Sequence, residues 1–224
     1  MSLLYYSRMR FIIQLLPLLL ASLLPAHVVS VYAAGMEGKL FPEDLSLRDP
    51  KHYGFANCRS HVVYMKTLFM ETLAERHRGR LSLVHVYPGL VITEAFDKVR
   101  LPTWVKLIWR WLVAPIIRPF SVPPRESGER ILFLATPRFP ARQKLETGTT
   151  AKGDKVTATE GDAGIAMGSD GNRGGGAYAV NWDGETISTE KAYKKVREEG
   201  LAGKVWDHTM RAFEEIEAGT VFTG

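Results

Sequence analysis

The stretch Leu83-Val84-His85-Val86-Tyr87-Pro88-Gly89-Leu90-Val91-Ile92-Thr93 decides how the rest of the chain is read. Its apolar, β-branched opening predicts a buried strand over residues 81–87. Pro88 has no N–H to give a ladder, so the strand ends there. Gly89 lacks a Cβ and lets a flat ligand lie against the backbone. Ligands of open α/β sheets sit at the carboxyl ends of strands, which is where this Pro-Gly falls. A plain strand-terminating turn has the same sequence, so both readings stay open at this point.

Upstream, residues 60–78 predict a helix with Val62, Met65, Phe69 and Leu73 along one face. Glu71, Glu75 and Arg76 fall away from that face, and Gly79 closes the helix. Residues 28–32, Val-Val-Ser-Val-Tyr, predict a second β-branched strand ending at Ala33-Ala34-Gly35. Strand, helix and strand joined by a short return form a βαβ unit, so the strands are expected parallel. Residues 36–57 are expected to be loop.

The N-terminus is open to three readings. Residues 3–24 are apolar nearly all round, which predicts a helix buried on most faces, ended by Pro25. Arg8 and Arg10 before residues 11–25, with Ala33-Ala34-Gly35 after, also fit a secretory signal. A membrane segment is the third reading, although Gln14, Pro17, Pro25 and His27 interrupt the run. The buried helix is preferred, because cleavage near Ala34 would remove a core strand.

Downstream, Trp104-Val-Lys-Leu-Ile-Trp109-Arg110-Trp111 packs three Trp and two cations into eight residues. It suits a lid over a bulky apolar substrate or an amphipathic helix at a membrane surface, and the lid is preferred because it follows the Pro-Gly loop directly. Residues 127–136 predict a helix with Ile131, Leu132 and Leu134 inward. Residues 145–165 are polar and carry no core pattern. Gly168 to Gly176 supply turn glycines, but no helix follows with the spacing of a phosphate loop. Residues 177–182 predict a last strand. Helices follow near 189–199 and 201–217, the second with Val205, Thr209, Phe213 and Ile216 on one face.

The 224 residues suffice for one domain with a core. One cysteine, Cys58, excludes an intrachain disulfide framework, and no histidine spacing suggests a metal. The net charge of +5 is unevenly spread. Residues 98–144 hold ten Lys/Arg against two acids, and residues 145–224 hold nine against fourteen. No nucleic-acid partner is expected from that asymmetry.

Taken in order, Tyr5-Tyr-Ser-Arg-Met-Arg-Phe-Ile-Ile, Val28-Val-Ser-Val-Tyr-Ala-Ala-Gly35, Asn57-Cys-Arg-Ser-His61, His85-Val-Tyr-Pro-Gly-Leu-Val-Ile-Thr93 and Lys204-Val-Trp-Asp-His-Thr209 resemble the later portion of a short-chain dehydrogenase/reductase, in a divergent fungal branch. The resemblance implies an α/β, Rossmann-like three-layer fold with a parallel sheet and flanking helices, its N-terminal strands missing. It divides the chain into 1–140, the second half of that domain; 141–165, a polar insertion; and 166–224, the last strand and C-terminal helices. It implies NAD or NADP as cofactor, with Pro88, Gly89, Val91 and Thr93 at the nicotinamide end, and an alcohol or carbonyl substrate, here small and apolar.

In that family a Ser on the strand and a Tyr-x-x-x-Lys on the next helix carry the proton chemistry. Here Tyr32 occupies the Ser position, with Ser30 on the same strand face. Tyr53-Gly-Phe-Ala-Asn57 has Asn where the family has Lys. Tyr32, Tyr53 and Ser30 are thus the catalytic candidates. Tyr64 and Lys66 are two residues apart and do not face each other. The family's glycine-rich phosphate loop has no counterpart upstream of Leu3, so a shortened gene and weak or absent activity are expected. An exposed edge on strand 28–32 would favour aggregation. The expected location is cytoplasmic. The alternative is a non-catalytic protein held at a membrane through residues 11–33.

Overall fold

The computed structural model describes residues 1–93, 102–143 and 164–223. Three strands, β1 (Ala26–Val31), β2 (Leu81–Val86) and β3 (Ala177–Val180), form one sheet in the order β1-β2-β3. Both pairings are parallel, with Val28 opposite Leu83 and Leu83 opposite Ala177. The helix between β1 and β2, here α2 (Phe55–Arg76), makes the expected βαβ unit. Strand β3 stops at Val180, short of Trp182. Asn181 turns instead, donating to the Glu185 carbonyl at 2.9 Å. The polar insertion expected at 141–165 falls for the most part outside the described residues.

Alternation along the strands divides the core in two. Val28, Leu81 and Leu83 face α2, whereas Val29, Val84 and Val86 face the opposite layer. On the first side α2 packs with the N-terminal helix α1 (Ser7–Ala21), which a π turn over Ser2–Tyr6 precedes. The C-terminal helices complete that layer. On the other side, Leu134 and Phe139 cover Val84, Val86, Tyr178 and Val180. They follow α5 (Pro124–Phe133), the helix after two short ones, α3 (Thr103–Ile108) and α4 (Ala114–Ile117). The architecture is therefore helix, parallel sheet, helix, as expected.

Helix α2 departs from the amphipathic prediction. Every residue from Ser60 to Met70 is buried. The cause lies in what covers its outer face. Helices α6 (Glu190–Glu198) and α7 (Leu201–Glu217) and the N-terminal turn bring Tyr193, Trp206 and Tyr5 against it. Phe69 stacks on Trp206 at 4.9 Å and meets Tyr5 edge-on at 6.5 Å. Glu71, expected to be solvated, pairs with Arg197 of α6 at 2.7 Å.

Three further expectations are corrected. The N-terminal helix is not buried on most faces. Within Ser2–Ala21 only Tyr5, Met9 and Ile12 are buried, while Phe11 and Leu18 lie in the open. This helix is long and apolar enough to cross a membrane by length and composition, yet its inner side belongs to the core. Anchoring through 11–33 would also draw β1 out of its ladder. Leu132 and Ile216, expected inward, are exposed. The packing of α5 turns on Ile131 and Leu134, and that of α7 on Val205, Thr209 and Phe213.

Candidate functional site

The carboxyl ends of β1 and β2 converge because the strands are parallel and in register. Tyr32 N–H donates to the Val86 carbonyl at 2.8 Å, so Tyr32 sits beside the start of Tyr87-Pro88-Gly89. Ser30 lies opposite His85. By parity, Ser30, Tyr32 and His85 all face α2. That helix supplies Lys66 and Thr67 from above.

The result is a polar cluster in the interior. The Thr67 hydroxyl and His85 Nδ1 are 3.0 Å apart. The Tyr32 and His85 rings are nearly parallel, with centroids 6.5 Å apart. The Lys66 ammonium lies 4.7 Å from the centre of the Tyr32 ring. Lys66 is fully buried, and neither its Nζ nor His85 Nε2 has a hydrogen-bond partner among the described residues. Orphaned buried groups of this kind are rare and call for a functional or energetic reason. Burial, helped by the charge of Arg8, pushes the Lys66 amine down to about 7. Burial also holds His85 well below its ordinary value, with Lys66 adding to the effect. Tyr32 moves the other way: burial raises its phenol, against the pull of Arg59 and Arg8. Near neutral pH, then, the cluster is a neutral imidazole, a neutral phenol and an amine poised to take or lose a proton.

The candidate residues do not all meet there. Tyr32 and Ser30 do. Tyr53 is 69% exposed and lines a separate groove with Met1, Tyr6, Leu47 and Phe222. Asn57, in the place of the family's Lys, donates to the His52 carbonyl at 2.8 Å. Spacing within the helix separates Lys66 from Tyr64 and gives no hint of its role. Its partner is a tyrosine from the strand. Tyr64 instead packs on Tyr193, 4.8 Å between ring centres. The signal available in sequence was the lysine itself, set in an otherwise buried run.

At the sheet's end, Gly89 adopts φ +76°, a left-handed conformation that favours glycine. A Cβ there would lie 2.9 Å from Trp182 Cβ and 3.3 Å from Val122. The space expected to receive a ligand is thus filled from within, and the glycine serves the approach of Trp182. Pro88 lines a small crevice with Val86, Ile131, Asn181 and Trp182. Val91 is half-buried and Thr93 exposed. Thr93 opens onto a cleft of about 620 Å³ whose far wall is Trp109, Arg110, Trp111 and Arg118. The glycines from 168 to 176 form a tight turn into β3. A Cβ on Gly176 would strike Arg142 N at 2.7 Å, and Gly168 and Gly175 are closed in by Asp170, whereas Gly171 at the tip faces open space.

The chain is similar in sequence to several fungal oxidoreductases. An oxidoreductase of Emericella nidulans is 41% identical over 212 residues, covering 94% of this chain and 60% of the relative. A short-chain dehydrogenase/reductase of Stachybotrys chartarum is 37% identical, covering 96% and 58%. Over nearly its whole length the chain is similar to fungal short-chain dehydrogenase/reductase and NmrA-like oxidoreductases. An NmrA-like family domain-containing oxidoreductase of an Aspergillus species extends the group at 32% identity, covering 95% of this chain and 56% of its own length. The chain thus spans about 60% of these oxidoreductases. No family model matches, and no solved structure matches.

Proposed function

We propose that this chain carries the nicotinamide-facing part of an NAD(P)-dependent oxidoreductase acting on an alcohol or carbonyl, and that alone it has weak or no activity. One observation carries the reading: the parallel sheet sets Tyr32 and the Pro88-Gly89 turn side by side, with the Lys66 amine packed on the Tyr32 ring. The fit to a dinucleotide is partial. Pro88, Val91 and Thr93 offer backbone and hydroxyl groups for its carboxamide end. Among the described residues no glycine turn leads from a strand into a helix in the manner of a phosphate loop. When bound, such a cofactor supplies hydride transfer. The chain's own contribution is a phenol at the strand end, Tyr32, that exchanges a proton with a substrate oxygen. Lys66 favours the phenolate while it is protonated and loses that effect as it gives up its proton. The apolar wall of Trp109 and Trp111 suits a small, apolar substrate.

Titration with NADPH and NADH tests the proposal. Saturable quenching of tryptophan emission, weakened by Thr93→Ala, is the expected result. An unchanged emission up to millimolar concentrations of both would overturn it.

A further inference from the structure

The region after Thr93 displays what the rest of the fold hides. Residues 103–120 run as α3, a π turn over Trp109–Val113, α4 and a 3-10 turn over Arg118–Phe120. Their half-buried positions include Trp109, Val113 and Ile117, at intervals of four. The opposite side carries Trp104, Leu107, Ile108, Trp111, Leu112 and Ile116, at intervals of three and four, each between 47% and 75% exposed. Phe120 extends the stripe at 80% exposure. The segment is apolar on both sides: one side packs inward through Trp109, Val113 and Ile117, and the other points outward. A continuous exposed stripe of this kind marks an interaction surface.

Its chemistry selects one occupant. The segment 102–120 contains Lys106, Arg110 and Arg118 and no acid at all. Tryptophan with flanking cations suits the boundary between headgroups and acyl chains, where an amphipathic helix lies flat. Cations are drawn to an anionic leaflet. Spanning is excluded by the three cations, by Pro115 and by a length below the roughly 20 apolar residues required. We infer that the outward face of residues 103–120 docks in the plane of an anionic phospholipid bilayer. The cleft between Thr93 and the Trp109–Arg118 wall then belongs to the segment that meets the lipid. The inference stands apart from the proposed oxidoreductase reading, since neither its argument nor its readout involves a cofactor.

Flotation of the purified chain with vesicles tests it, using phosphatidylcholine alone and phosphatidylcholine with phosphatidylserine. The chain is expected to float with the phosphatidylserine vesicles, with a blue shift in tryptophan emission, and less so at high salt. Trp104→Ser combined with Leu112→Ser removes two exposed side chains and is expected to lose that binding while keeping the wild-type circular dichroism. Arg110→Gln combined with Arg118→Gln is expected to weaken it about thirtyfold, at roughly fivefold per cation. No flotation with either vesicle overturns the inference. So does equal binding by the wild type and both variants. If the Trp104 and Leu112 changes instead abolish a dimer seen by light scattering, with no vesicle binding, the stripe is a contact between two copies and the lipid assignment falls.

Discussion

Helix α2 and the segment 103–120 are opposites. The first buries a lysine and two histidine contacts in the interior; the second leaves three tryptophans at or near the surface. His61 accepts a hydrogen bond from Phe41 N–H at 3.0 Å, and Thr67 meets His85, yet Lys66 goes without such a partner. In 103–120 the side chains of the apolar stripe stay between 47% and 80% exposed. Each region breaks the rule that apolar groups go inside and charges outside. Such breaks concentrate where a protein binds or reacts, because folding alone does not favour them. The two also break it in different currencies: α2 loses stability at the site, whereas 103–120 loses solubility.

The contrast makes graded predictions. The largest concerns packing. Phe69→Ala, which empties the space between Trp206 and Tyr5, should cost about 3–5 kcal/mol in urea unfolding, whereas Leu112→Ala should cost under about 0.5 kcal/mol. Similar losses would mean that the stripe is packed after all.

Next comes Lys66. Its folded pKa of about 7 lies below that of an unfolded lysine. The unfolded chain therefore binds more protons between those values, and stability should rise with pH from about 7 to 10.5. Lys66→Met should be more stable than wild type at pH 6, by an amount on the order of a few kcal/mol. That advantage should shrink across the same window. Parallel pH profiles would show that the amine is neither buried nor unpaired.

A smaller effect is expected at His208, whose Nε2 lies 2.7 Å from the Tyr6 hydroxyl. Burial, and then Arg211, lower it to about 4. The unfolded state again holds the extra proton, so stability should fall as pH drops from about 6.5 to 4. His208→Gln should flatten part of that acid limb in thermal melts taken across the range. The smallest effect belongs to Trp104→Ser, which should leave the unfolding midpoint almost unmoved.

The sequence disclosed the parts of this molecule that are set by short-range pattern. An apolar, β-branched run and the Pro-Gly stop placed β2; β-branching placed β1; the return through α2 implied the parallel pairing. The site was half legible. Ser30 and Tyr32 share a face because they are two apart on one strand, which can be read directly. Lys66 over Tyr32 depends on how α2 is rotated against the sheet, and Trp182 behind Gly89 depends on β3 arriving alongside. Neither leaves a local signature. The burial of α2 all round was equally hidden, since α6 and α7 provide its cover from the far end of the chain.

The alternation that separates Ser30, Tyr32 and His85 from Val29, Val31, Val84 and Val86 has one more consequence. Were β1 to slide by a single residue, Val29 and Val31 would face α2, and Val28, Ser30 and Tyr32 would face the Leu134 layer. The polar cluster therefore acts as an address for the strand: it marks the one alignment of β1 on β2 in which Ser30 meets His85, and it makes every neighbouring alignment a mismatch.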